Sequence, residues 1–143
     1  MSSSPQDAAP KLVLSFIDGG FVAPKAGHRI PVFYPGTGAQ ISELQEADAG
    51  EVALAVRSAR DAFDHGPWAR MSVEERQAML GRMHDVILAH VEELALLECL
   101  NTGIVMREIR QRHIPRAASN FKFFAEVISQ WPGAECGAGG SRA

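Results

Sequence analysis

The chain has 143 residues, enough for one domain with a buried core, and 46% of them are hydrophobic. A net charge of -3 gives no electrostatic reason to bind nucleic acid or an anionic membrane. No apolar run reaches the ~20 residues of a bilayer-spanning helix. The opening MSSSPQDAAP has neither the basic nor the apolar region of a signal peptide. The expectation is a cytoplasmic protein whose cysteines, Cys99 and Cys136, stay reduced.

Residues 1–11 read as a disordered leader. Residues 14–17 are apolar and partly alternating, and Asp18, Gly19 and Gly20 then supply the positive φ that a tight hairpin turn demands. Phe21 and Val22 begin the return strand, which Pro24 stops. A second extended stretch covers residues 30–34 and ends in a Pro-Gly-Thr-Gly turn; residues 40–45 form a third. Pro31 cannot donate to a ladder and puts at least one of these strands at an edge.

From Asp48 the period becomes helical. Asp48 and Glu51 have capping-box spacing, and Val52, Val56, Ala59 and Phe63 recur on one face until His65-Gly66-Pro67 ends the run. Ser72 and Glu75 repeat the capping pattern ahead of a stripe of Leu80, Met83 and Ile87 that runs to about His90. A third helix covers roughly residues 91–100, with Gly103 suited to a left-handed cap beyond Asn101 and Thr102. A fourth starts near Ile114-Pro115, proline being favoured in a first turn, and continues to about Gln130. Residues 134–143 are small, Gly-rich and aperiodic, and read as a flexible tail. The fold class is α+β: a hairpin and short strands, then about four helices.

The fourth helix carries an anomaly. At 100° per residue, Ala118, Ser119, Lys122, Glu126, Ser129 and Gln130 share a polar arc, and Phe121, Phe123, Phe124, Ala125, Val127, Ile128 and Trp131 a wide apolar one. Arg116 and Asn120 fall inside the apolar arc, one turn apart. A guanidinium among aromatics requires an anion or acceptors, and in a first helical turn it also opposes the macrodipole. One reading is that Arg116 binds a substrate carboxylate through a bidentate fork, with Asn120 adding a hydrogen bond. The other is that Arg116 extends outward at the helix end and Asn120 bonds locally.

No catalytic constellation accompanies it. Cys99 sits late in a helix and reads as an inert thiol, and Cys136 lies in the tail with no base beside it. Gly137, Gly139 and Gly140 do not make a dinucleotide fingerprint, because Arg142 stands where the third glycine belongs. His84 and His90 are six apart, and Asp61 with His65 offers only two ligands, so no metal site is expected.

Several stretches together resemble the N-terminal region of the aldehyde dehydrogenase superfamily: FIDGGFV (16–22), FYPGTGAQISEL (33–44), the helix at 48–63 with Trp68 after it, SVEERQAMLGRMHDVI (72–87) and ECLNTG (98–103). IPRAASNFKFFAEV (114–127) is similar to the branch acting on muconic-type semialdehydes. The resemblance covers residues 12–133 and implies the N-terminal segment of the α/β aldehyde dehydrogenase fold. It implies an NAD-dependent oxidation of a carboxylate-bearing semialdehyde to the acid, with Arg116 and Asn120 on the substrate side and a homo-oligomeric parent. The family's nucleophilic cysteine, its glutamate base and its NAD site all belong to sequence that would follow this chain. The chain departs from the family where Ile104-Val105 follow Gly103, and again from Ala134 onward. On this reading it is a fragment, inactive alone and prone to self-association; the alternative is a small non-catalytic helical module that binds a partner.

Overall fold

The computed structural model describes residues 8–130. The readings of residues 1–7, Trp131, Cys136 and the tail at 134–143 lie outside the described residues. Five short strands come first: β1 (Leu12–Val13), β2 (Phe16–Ile17), β3 (Gly20–Phe21), β4 (Arg29–Phe33) and β5 (Gln40–Gln45). β2 and β3 form the hairpin, with Asp18 at φ 54 and Gly19 at φ 76. Two successive positive φ values match the right-handed twist of the flanking strands, and Asp and Gly tolerate them. Phe16 and Phe21 pair edge to face across it, ring centroids 5.1 Å apart.

The other three strands order as β1-β5-β4, with β5 central. β4 runs antiparallel to β5 and lies at the edge, where Pro31 costs no interior ladder bond. β1 pairs parallel with β5, a contact that no local pattern signals. It ties down the end of the expected leader. Lys11 accepts from the Glu43 amide at 3.1 Å, Pro10 accepts from Ser42 Oγ at 2.5 Å, and Ala9 is buried. Residues 9–11 are thus held by one backbone bond, one bond from a side-chain hydroxyl and burial of Ala9, none of which their composition announces.

Four longer helical segments follow. α1 (Ala49–His65) is capped by Asp48, whose side chain accepts from the Glu51 amide at 2.8 Å. A 3-10 turn (Pro67–Arg70) carries Trp68, and the Arg76 guanidinium lies over its ring. α2 (Val73–Ala89) has the full reciprocal capping box of Ser72 and Glu75. α3 (Val91–Thr102) ends at Gly103, φ 74. A Cβ on Gly103 would lie 3.0 Å from Pro35, so glycine serves both the left-handed cap and the approach of the β4–β5 turn.

The last helix begins earlier than its proline suggests. The chain is already helical over α4 (Met106–Glu108) and passes through a π turn (Ile109–His113) into α5 (Ile114–Val127). Pro115 has no N–H and its ring would crowd the carbonyl four residues back. The wider π turn, with Ile114 N–H reaching Ile109 O, accommodates it inside one continuous helical path.

One core centre joins sheet to helix, with Ala9, Ile41 and Leu100 buried and Val32, Tyr34 and Leu96 packed against them. Ala95 in α3, Ile109 in the π turn and Ala118 in α5 are fully buried as well. The stripe on α1 behaves differently from expectation: Val52, Val56 and Phe63 are all exposed, Phe63 at 72%. The helix is held mainly at its ends, so amphipathic spacing located its apolar face without supplying a surface to cover it.

Candidate functional site

α2 and α5 pack antiparallel, and two polar side chains of α2 cross the interface. Gln77 Nε2 donates to Ala125 O at 2.8 Å, and His84 Nδ1 lies 3.0 Å from Ala118 O. A carbonyl can only accept, so His84 carries its proton on Nδ1. Ala118 is fully buried, and Ala125 and Phe121 are beside it on the side facing α2. This corrects the helical wheel. Ala118 belongs to the packed face, because a methyl group lets α2 approach the backbone closely. Phe123 and Phe124, at 55% and 59% exposure, lie away from it.

Arg116 and Asn120 are both exposed and have no hydrogen-bond or ion-pair partner among the described residues. At 100° per residue they stand about 160° to either side of Ala118; farther along the helix, Phe123 and Val127 fall in the same angular sector. The structure therefore brings the two predicted residues to one face, with the exposed Phe123 one turn beyond Asn120. The expected cost of an arginine enclosed by aromatics does not arise in this chain, since that face is open.

A second polar cluster was invisible to local patterns. Glu51, 5% exposed, pairs with Lys25, which also binds Asp48 Oδ2 at 2.6 Å; the Lys25 amide donates to Gln45 Oε1 at 3.1 Å. Glu51 thus turns to Lys25, where capping-box spacing had it serving the Asp48 amide. Lys25, then the Glu51 amide, hold Asp48 below the usual carboxylate range. Lys25, then the Ser15 hydroxyl, do the same for Glu51. Asp48 first and Glu51 second raise Lys25. Nothing within a few residues of Lys25 foretells these partners, which lie 23 and 26 residues away. The cluster staples the segment before β4 to the start of α1, and it borders a small cavity of about 150 Å³ lined by His28, Gln45 and Asp48 among others.

Cys99 is half-buried and free. His65 bonds Asp61 at 3.0 Å and His90 bonds Glu93 at 3.1 Å, both on the surface. Among the described residues no three His, Cys, Asp or Glu side chains assemble as a metal set, and no helix is long and apolar enough to cross a membrane. The described residues do not fit a nicotinamide dinucleotide either. Their one parallel pairing, β1 with β5, is two residue pairs long, and no glycine-rich turn leads from it into a helix. No hydride-transfer step is assigned to them.

The aldehyde dehydrogenase family profile matches residues 21–140. The chain is 40% identical over 118 residues to 2-hydroxymuconic semialdehyde dehydrogenase of Pseudomonas sp. (strain CF600), covering 82% of this chain and 24% of that protein. Among solved structures it is similar to HpcC from Thermus thermophilus, with TM-score 0.74, 35% identity and coverage of 85% and 23%. It is also similar to gamma-glutamyl-gamma-aminobutyraldehyde dehydrogenase from Burkholderia cenocepacia J2315, with TM-score 0.82, 29% identity and coverage of 94% and 27%. The chain spans about a quarter of the length of these relatives. Its short strands followed by helices are an N-terminal portion of their fold, and the chain belongs to the aldehyde dehydrogenase family, whose members are NAD(P)-dependent oxidoreductases.

Proposed function

We propose that this chain supplies part of the substrate-binding wall of an enzyme that oxidises a carboxylate-bearing semialdehyde to the acid with NAD. Arg116 would receive the remote carboxylate and Asn120 a polar atom beside it. The observation that carries this reading is the open face of α5. An arginine with no partner among the described residues stands one turn from an asparagine, on the face that two turns on carries the exposed Phe123. A guanidinium held there presents a planar fork suited to a carboxylate. The likeness to a 2-hydroxymuconic semialdehyde dehydrogenase supports the same substrate class. The nucleophile, the base and the nucleotide site are assigned to the part of the relatives' fold that this chain does not span, so by itself the chain is read as inactive.

The test uses an intact relative. Replacing the residue that corresponds to Arg116 by alanine should lower kcat/KM for carboxylate-bearing aldehydes about tenfold to a hundredfold, the range of a charge-assisted hydrogen bond. Neutral aldehydes should lose far less. Equal losses for both classes would remove the carboxylate role. A second reading, a small helical module that binds through its surface, draws on the open, mostly apolar groove of about 390 Å³ along α2, lined by Met79, Arg82, Met83, Val86 and Ile87. Coding sequence beyond Ala143 that continues into a nucleotide-binding core would decide against it.

A further inference from the structure

We propose that His84 and Gln77 are positioning residues: together they lock the antiparallel register of α5 on α2 and fix the direction in which Arg116 and Asn120 leave the opposite face. What that direction serves rests on the carboxylate reading above; the lock itself does not.

The two bonds obey one register. Gln77 meets Ala125 and His84 meets Ala118, so a step of seven residues along α2 is matched by seven back along α5. The contacts are about 10.5 Å apart along the axes. A single contact would act as a pivot, whereas two at this spacing restrain both sliding and rotation. Apolar contacts between helices tolerate small slips, because dispersion has little directionality. A hydrogen bond does not, since it is lost beyond about 3.5 Å or below about 120°. A slip of one residue moves a helix by about 1.5 Å and turns it by about 100°, which would break both bonds and swing Arg116 a quarter-turn round.

The sequence at the contact suits this task. Ala118 is fully buried, and a larger side chain there would screen its carbonyl from the imidazole. That carbonyl has a second lone pair beyond the one used within the helix. Arg116 and Asn120 lie two residues to either side of Ala118, so the atom that His84 holds is midway between them along the helix. An apolar pair at 77 and 84 would bury the same face; what histidine and glutamine add is direction.

The test is peptide-resolved hydrogen exchange on the 143-residue chain at low concentration, with no substrate present. His84→Leu keeps the bulk and removes the donor, and should speed exchange over the first half of α5 about fivefold to tenfold. His84→Asn places an amide N–H near the Nδ1 position and should restore the protection. Gln77→Leu should act on the second half of α5. If His84→Leu protects α5 as well as the native residue, the contact is packing alone and the proposal falls; it also falls if His84→Asn fails to rescue. Because no ligand enters the measurement, failure of Arg116 to select carboxylates would overturn the substrate reading and leave this result standing.

Discussion

At the scale of single residues, the sites that decide local structure are those where one atom group has no alternative. Gly103 is such a site, because its φ of 74 is strained for any L side chain and Pro35 stands where a Cβ would point. Gly103→Ala should cost about 1–2 kcal/mol for the left-handed conformation, before any displacement of Pro35 is added. Urea unfolding of the two proteins checks this, and coincident midpoints would refute it. This glycine was legible from position alone, since it follows a helical run and an Asn-Thr pair. Ala118 was not legible. On a wheel it falls among Ser119, Lys122 and Ser129, and only the approach of α2 shows that its small side chain is what the interface requires. Arg116 and Asn120 were legible as a pair on one face, because that follows from helical geometry.

At the scale of elements, the ion cluster at the start of α1 couples a loop to a helix. Its pH dependence follows from the directions of the shifts. Asp48 and Glu51 are held below the usual carboxylate range, so their contribution is present above their ordinary pKa and lost as pH falls through the lowered values. Lys25 is raised above 10.5, so its contribution is full below that value and lost as pH rises through the raised one. The stabilising difference between the native chain and Lys25→Met should therefore be level from neutral pH to about 10, and shrink towards both extremes. Thermal melts across that range test it; a difference that does not change in acid would exclude the cluster as its source. The capping boxes teach a related point. Ser72 and Glu75 pair reciprocally as their spacing implies, whereas Glu51, with the same spacing from Asp48, is drawn to Lys25. Equal spacings diverge, and at Glu51 the fold brings up a cation, Lys25, that draws the carboxylate away from the cap.

At the scale of the whole molecule, large apolar side chains remain uncovered on α1, α2 and α5, with Val56, Phe63, Val86, Phe123 and Phe124 each more than half exposed. A surface of this kind favours association with another apolar surface. The 143-residue chain, purified by itself, should sediment as a concentration-dependent mixture of species. A monodisperse monomer with a cooperative melt over the same concentrations would contradict this. The same preparation should show no NAD-linked turnover of semialdehydes, and measurable turnover would overturn the reading of the chain as inactive alone.

The sequence by itself determined what depends on near neighbours along the chain: the Asp18-Gly19 turn, the edge position of the strand with Pro31, the cap at Gly103, the reciprocal box of α2 and the shared face of Arg116 and Asn120. Each follows from steric or hydrogen-bonding constraints within a few residues. Tertiary structure alone decided the parallel pairing of β1 with β5, the capture of Glu51 by Lys25, the burial of Ala118 and the reach of His84 and Gln77 to the carbonyls of α5. Those contacts join residues 26 to 48 positions apart, and no local periodicity encodes a partner at that distance. The π turn before Pro115 lies between the two cases: proline marks the place where a helix is perturbed, and the structure shows the helical path continuing through it by a wider turn with Ile109 buried.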